Sequence, residues 1–269
     1  MLISIVLTLT SPTGATLPAH LGRANHAATL ARIGQVDTPL MQQIHNGTGP
    51  KPLTCSDLLG GEGQGGNRRV EAGQTYAVRI TGLTQDVSQA LAAALLADVP
   101  HTWPLAGQPF VVTGACCDPA QDPRTGHTTY ETLAAAQLLQ GGQPDRRATL
   151  LFHSPTAFQS NAMHMPIPLP NLVFGSLVDR WNAFSPVILS PEVRRFGEER
   201  VAISNYRLQS IPVIQKSGAP LIGGVGRVTY TALDGDRYWL ATLQMLADFA
   251  HYSGVGVKTT IGMGQVRRA

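Results

Sequence analysis

Three cysteines in 269 residues, Cys55 and the adjacent pair Cys116 and Cys117, offer no C-x-x-C spacing. That excludes zinc-ribbon and dithiol redox sites, while the odd count argues against a disulfide scaffold and for a reducing, cytoplasmic compartment. The eight histidines include no H-E-x-x-H and have no carboxylate cluster beside them, so neither a metal nor any other cofactor is expected. No apolar run reaches the roughly 18 residues that a spanning helix needs, which removes the membrane as a partner. Aromatic residues are only 6%, and the aromatic-rich strand of a base-stacking recognition module is missing.

The first ten residues, MLISIVLTLT, lack the basic residues that precede a secretory apolar segment. Ile3, Ile5, Leu7 and Leu9 alternate with Ser4, Thr8 and Thr10, which is the period of a half-buried strand. An apolar share of 43% with 14% charge describes a globular protein able to bury a large core. The net charge of +3 is unevenly spread: residues 1–142 carry seven Lys/Arg against nine Asp/Glu, and residues 143–269 carry thirteen against eight. A polyanion would be drawn to the second half.

Along the chain, a first helix is expected over residues 18–33, restarting near Pro39, then a glycine- and proline-rich loop through HNGTGPKPLTCSDLLG that leads into a short strand at 52–59. GGEGQGGN reads as a hairpin tip, followed by strand QTYAVRITGL, helix TQDVSQALAAALLAD and strand QPFVVTGA. The second half repeats the order, with strand RATLLFHSPTAF, helix LPNLVFGSLVDRWNAFS, strands VAISNYRLQSIPVI and LIGGVGRVTYTAL, helix DRYWLATLQMLADFAHYSG and strand TTIGMGQVRR. Two copies of β-α-β-β-α-β define an α+β protein of tandem ferredoxin-like domains, 1–142 and 143–269.

The stretch GVGVKTTIGMGQVRR places glycines at Gly254, Gly256, Gly262 and Gly264, closing a helix rather than opening one, so a dinucleotide fingerprint fails on context. Glycines so placed let backbones approach closely, and their N–H groups beside Lys258, Arg267 and Arg268 are able to hold a phosphodiester; a turn needed only for packing is the competing reading. Arg194, Arg195, Arg200, Arg207, Lys216 and Arg227 are further basic candidates in this half.

This glycine spacing, SPTAF at Ser154 to Phe158, and HNGTGPKPLTCSDLLG after the first helix together resemble the CRISPR-associated endoribonucleases of the RAMP superfamily, which cut repeat RNA into guide units. The resemblance covers nearly the whole chain. It implies metal-independent attack by the ribose 2′-OH, leaving a 2′,3′-cyclic phosphate and a 5′-OH, with CRISPR repeat RNA as partner. Other CRISPR effector subunits are further candidate partners, and a monomer and a homodimer both stay open. Such chemistry needs two proton-transfer groups and positive charge at the phosphorane. His45 matches the family's general acid/base histidine, and Lys51 is the candidate electrostatic stabiliser. Relatives often place a tyrosine in the first helix, but none occurs between Leu17 and Ile44, and His26 is the nearest substitute. A RAMP subunit that holds guide RNA without cutting it is the alternative.

Overall fold

The computed structural model describes residues 1–61, 63–64 and 66–269, so Glu62 and Gly65 of the expected hairpin tip lie outside the described residues. The chain forms two compact units: Met1–His127 with Thr260–Gly262, and Thr128–Thr259 with Met263–Ala269.

The first unit is built from strands β1 (Leu2–Thr10), β2 (Leu53–Cys55), β3 (Thr75–Gly82) and β4 (Gln108–Cys116), with helices α1 (Gly22–Val36), α2 (Thr38–Asn46) and α3 (Gln85–Ala92). The strands lie in the order β2-β3-β1-β4, all antiparallel, with Thr102–Leu105 added beyond β4. The two central strands are fixed in register by apolar pairs such as Ile5↔Ile80 and Leu7↔Val78. A one-residue slip would turn every one of these side chains to the opposite face. Their side chains meet Leu30, Ile33 and Ile44 of the helices in one core cluster.

In the second unit, α4 (Tyr130–Leu138) precedes β5 (Arg147–Thr156), α5 (Pro170–Phe184), α6 (Pro191–Glu199), β6 (Val201–Ile214), β7 (Pro220–Ala232), α7 (Arg237–Ser253) and β8 (Val266–Arg268). The order β6-β7-β5-β8 repeats the first unit's pattern, so both halves are ferredoxin-like as expected. On β5 the buried Ala148, Leu150 and Phe152 alternate with exposed Arg147 and His153. Tyr130 packs edge-on to Trp181 at 5.0 Å, and Phe249 completes the cluster. These aromatic contacts hold α4 in the second unit, so the compact units divide at 127/128 whereas the sequence suggested 142/143.

Three further differences have local causes. The first helix starts later, because Ala15–Pro18 pairs as a strand with Asn67–Val70. It also runs on to Val36, where Asp37 breaks it and caps α2 at once, Oδ1 accepting from the Leu40 N–H at 2.8 Å. Pro39 in the first turn of α2 forfeits no intrahelical bond, so α2 continues through His45, which the glycines and prolines just beyond had assigned to a loop. Finally, SPEVRRFGEE forms α6, with the Ser190 hydroxyl accepting from the Glu192 N–H.

Candidate functional site

His26, His45 and Lys51 are brought into one neighbourhood of the first unit. Asn25 is fully buried on α1, its Nδ2 donating to the Ser56 carbonyl at 2.9 Å and its Oδ1 accepting from the Trp103 indole at 3.1 Å. These bonds fix the rotation of α1 and leave the next residue, His26, half-buried. His26 is held below the ordinary imidazole value, first by burial and then by the nearby His45, Lys51 and Arg23. A ring so placed is neutral near pH 7 and ready to accept a proton. His45 is exposed on the last turn of α2.

Lys51 has a different position from the one its sequence suggested. Its ammonium donates to the carbonyls of Ile44 at 2.7 Å, His45 at 3.2 Å and Gly47 at 2.5 Å. An ammonium has three donors, and here they meet the orphan carbonyls at the end of α2, where the helix dipole favours a cation. Lys51 therefore fixes the turn that carries His45. The residue missed by sequence is Arg23, exposed on α1 and one of the cations acting on His26. The i, i+3 spacing of Arg23 and His26 on one helix was the available signal. Among the described residues, no group of three or more His, Cys, Asp and Glu side chains is arranged to hold a metal ion.

The glycine stretch turns out to be committed to the protein itself. Gly254 ends α7 with φ 60°, its N–H donating to the Ala250 carbonyl. The N–H of Gly256 donates to the Ser176 hydroxyl at 2.9 Å, that of Gly262 to the Cys55 carbonyl at 3.0 Å and that of Gly264 to the Pro155 carbonyl at 3.0 Å. Each of these four N–H groups has an acceptor within the protein, which favours the packing reading of the stretch over the anion cradle. SPTAF supplies the other side of a backbone clamp: the Ser154 hydroxyl accepts from the Gln265 N–H at 2.9 Å, and the Ala157 carbonyl accepts from the Val257 N–H at 2.9 Å. A Cβ on Gly256 would lie 2.2 Å from the Ala157 carbonyl oxygen, and one on Gly264 2.1 Å from that of Val255. The Arg180 guanidinium donates to the carbonyls of Ser253 and Gly256, and burial pushes it down to about 10, still cationic at neutral pH. Within the first unit, Ile261 and Gly262 lie on Gly22, where a Cβ would come 2.2 Å from the Ile261 carbonyl oxygen. That contact is on the helix that carries His26.

Of the basic candidates, Arg194 pairs with Asp179, and Arg195 pairs with Glu199 at 2.9 Å and Glu192 at 3.7 Å. Arg268 points to the helix side of its sheet and pairs with Asp248 at 3.1 Å. Their charge is largely answered within the protein. Lys258 is half-buried and left-handed, with φ 58°. The open face of the second sheet is different. Arg207 is registered opposite Arg227, Arg227 opposite Leu151, and Leu151 opposite Arg267, so three arginines share one row across four strands. Arg207 and Arg227 are exposed and have no ion-pair partner among the described residues, while Arg267 Nε donates to His153 Nε2 at 3.0 Å. Like charges directly opposite on a sheet are destabilising, so such a row is suited to an anionic strand laid across it.

Residues 150–266 match the family model described as CRISPR-associated endoribonuclease Cas6. Over 145 residues the chain is 29% identical to a CRISPR-associated endoribonuclease Cas6 of Streptococcus thermophilus, a match that covers 51% of this chain and 58% of that protein. The matched region thus spans little more than half the length of that curated relative. Two solved Cas6 product complexes superpose over the whole chain: one, TTHA0078, with TM-score 0.79, 28% identity and 99% of its own length covered, the other, TTHB231, with TM-score 0.82, 26% identity and 100% covered.

Proposed function

We propose that this Cas6-type chain is an endoribonuclease that cuts CRISPR repeat RNA. The observation that carries the reading is the gathering of two imidazoles and the Arg23 cation around one patch of α1 and α2. His26, kept neutral, takes the proton from the ribose 2′-OH as O2′ attacks phosphorus. The P–O5′ bond breaks, and His45, as general acid, gives a proton to the leaving 5′ oxygen. The products are a 2′,3′-cyclic phosphate and a 5′-OH. Arg23 faces the charge that builds on the phosphorane, and Lys51 keeps the His45 turn in place.

Incubation of the purified chain in EDTA with the repeat transcript encoded beside its gene tests the reading. The expected result is scission at one linkage, with a 5′ fragment that ends in a cyclic phosphate. Cleavage that depends on added divalent metal would remove the imidazole mechanism. Binding without scission would leave a guide-holding RAMP subunit.

The grip on RNA is assigned to the open arginine row. Joint replacement of Arg207 and Arg227 by alanine removes two phosphate contacts, so the slope of log affinity against log salt should flatten by about 1.4 for a single strand. An unchanged slope in filter binding across a salt series would move the grip elsewhere.

A further inference from the structure

The open face of the second sheet holds a polar basin of about 670 Å³, whose lining includes Arg147, Thr149, Ser204, Asn205, Arg227 and Thr229. Strand register sets the order of these side chains. Arg207 stands opposite Arg227; one step along the same face, Asn205 stands opposite Thr229 and Thr229 opposite Thr149; one step further, Thr231 stands opposite Arg147. A row of hydroxyl and amide groups therefore lies between two cationic positions. Phosphate, sugar and phosphate present the complementary alternation along a nucleic acid strand.

The neutral row has bonds to give. The Thr149 and Thr229 hydroxyls bond each other at 2.9 Å. A hydroxyl donates once and accepts twice, so the pair spends one proton internally and keeps the other, with acceptor positions, for a ligand. Asn205 is exposed, and its amide has no hydrogen bond among the described residues. By contrast, Thr231 donates to Ser204 Oγ at 2.7 Å and Ser204 to the Thr229 carbonyl at 3.3 Å, bonds that fasten β6 where its register shifts just before Asn205. Asp145 Oδ1 accepts from the Arg147 N–H at 2.9 Å, while the exposed Arg147 guanidinium has no ion-pair partner among the described residues. Among the described residues no aromatic side chain lines the basin, so it offers no platform on which a base could stack. The face is equipped for the backbone of a strand.

We propose that the row of Thr149, Thr229 and Asn205 reads the ribose 2′-OH of bound RNA, so that this sheet selects RNA over DNA in binding, whatever the base and apart from the cutting step. The 2′-OH is both donor and acceptor, and it is the group by which a protein tells the two polymers apart. The threonine pair and the amide beside it meet both roles, and Arg147, Arg207 and Arg227 take the flanking phosphates, which DNA carries equally. This inference rests on the RNA-binding reading and adds a sugar preference to it.

The test measures, by anisotropy on the full chain, the affinity of labelled eight-nucleotide oligouridylate, oligodeoxyuridylate and 2′-O-methyl oligouridylate. Oligouridylate should bind about tenfold more tightly than either of the others, the worth of one or two net hydrogen bonds. Joint Thr149→Val and Thr229→Val keeps the β-branched shape and removes both ends of the same bond, so no orphaned group is left in the sheet. It should cut the preference to about threefold or less, with oligodeoxyuridylate affinity and thermal midpoint unchanged, and adding Asn205→Ala should erase it. Joint Arg207→Ala and Arg227→Ala should instead weaken all three oligomers alike. Equal affinity for oligouridylate and oligodeoxyuridylate, a 2′-O-methyl oligomer that binds as tightly as oligouridylate, or a preference that survives the three substitutions overturns the hydroxyl assignment and leaves RNA binding standing. Failure to bind any oligomer while the repeat transcript binds does the same. Failure to bind the transcript as well overturns both. UMP alone binding as tightly as oligouridylate would give the basin to free nucleotide and also overturn the proposal.

Discussion

Replacing His45 with alanine is expected to slow cleavage by about a hundredfold to ten-thousandfold, the usual worth of a positioned general acid, while repeat-RNA affinity stays nearly unchanged. The side chain is exposed at the end of α2, and the bonds that hold that turn come from Lys51 to backbone carbonyls, which alanine leaves intact. Single-turnover cleavage with saturating protein separates chemistry from binding. The pH profile gives an independent view of the same site. Burial and flanking cations lower the His26 value, so its folded form takes up a proton only below the ordinary imidazole range. The acid-side fall in rate should therefore begin only below 6.5, where His26, the proposed base, becomes protonated. The sign for stability is the same: the unfolded chain binds that proton first, so His26 contributes stability above 6.5 that is lost as pH falls through the lowered folded value. Wild-type rates from His45→Ala would take this imidazole out of the reaction.

The second large effect concerns folding. Gly256→Ala puts an L residue at φ 75° and drives its Cβ to 2.2 Å from the Ala157 carbonyl oxygen. Left-handed strain of about 1–2 kcal/mol and overpacking of about 1–3 kcal/mol together predict a loss of roughly 2–5 kcal/mol. The thermal midpoint should fall by about 5–15 °C. Gly218→Ala is the matched control, because φ there is 83° and a Cβ meets nothing within 4 Å. If the two variants melted alike, backbone strain alone would matter and the clamp between SPTAF and the glycine stretch would carry little.

Much of this architecture was legible because strands advertise themselves by alternation. β5 and the second half of β7 follow the period of two, with Ala148, Leu150 and Phe152 buried on one and Val228, Tyr230 and Ala232 on the other, and the order of strands and helices in the chain is enough to give the repeated topology. What escaped reading was governed by partners distant in sequence or by short helices. Arg194 and Arg195 stood as basic candidates because SPEVRRFGEE carried no assignment in the sequence; as a helix it sets Glu192 and Glu199 at i−3 and i+4 from Arg195, where they answer it. The same holds for Lys51, whose acceptors are carbonyls of a helix end that glycines and prolines had concealed. Of the glycines, Gly264 donates to Pro155 and Gly256 lies against Ala157, both in SPTAF and far earlier in the chain. No local pattern announces such a pairing. Arg207 and Arg227 were visible as charges, yet only the β6–β7 register places them side by side.

The distance between SPTAF and its glycine partners bears on how the protein is made. Strand β5 lies inside its sheet, but one of its neighbours, β8, is made much later: Gln265, just before β8, follows Ser154 by 111 positions. During synthesis that flank of β5 stays bare, offering unpaired amides and carbonyls to any nascent chain nearby. Translation speed and chaperone access, more than the final stability of the molecule, should therefore govern how much of it reaches the native state.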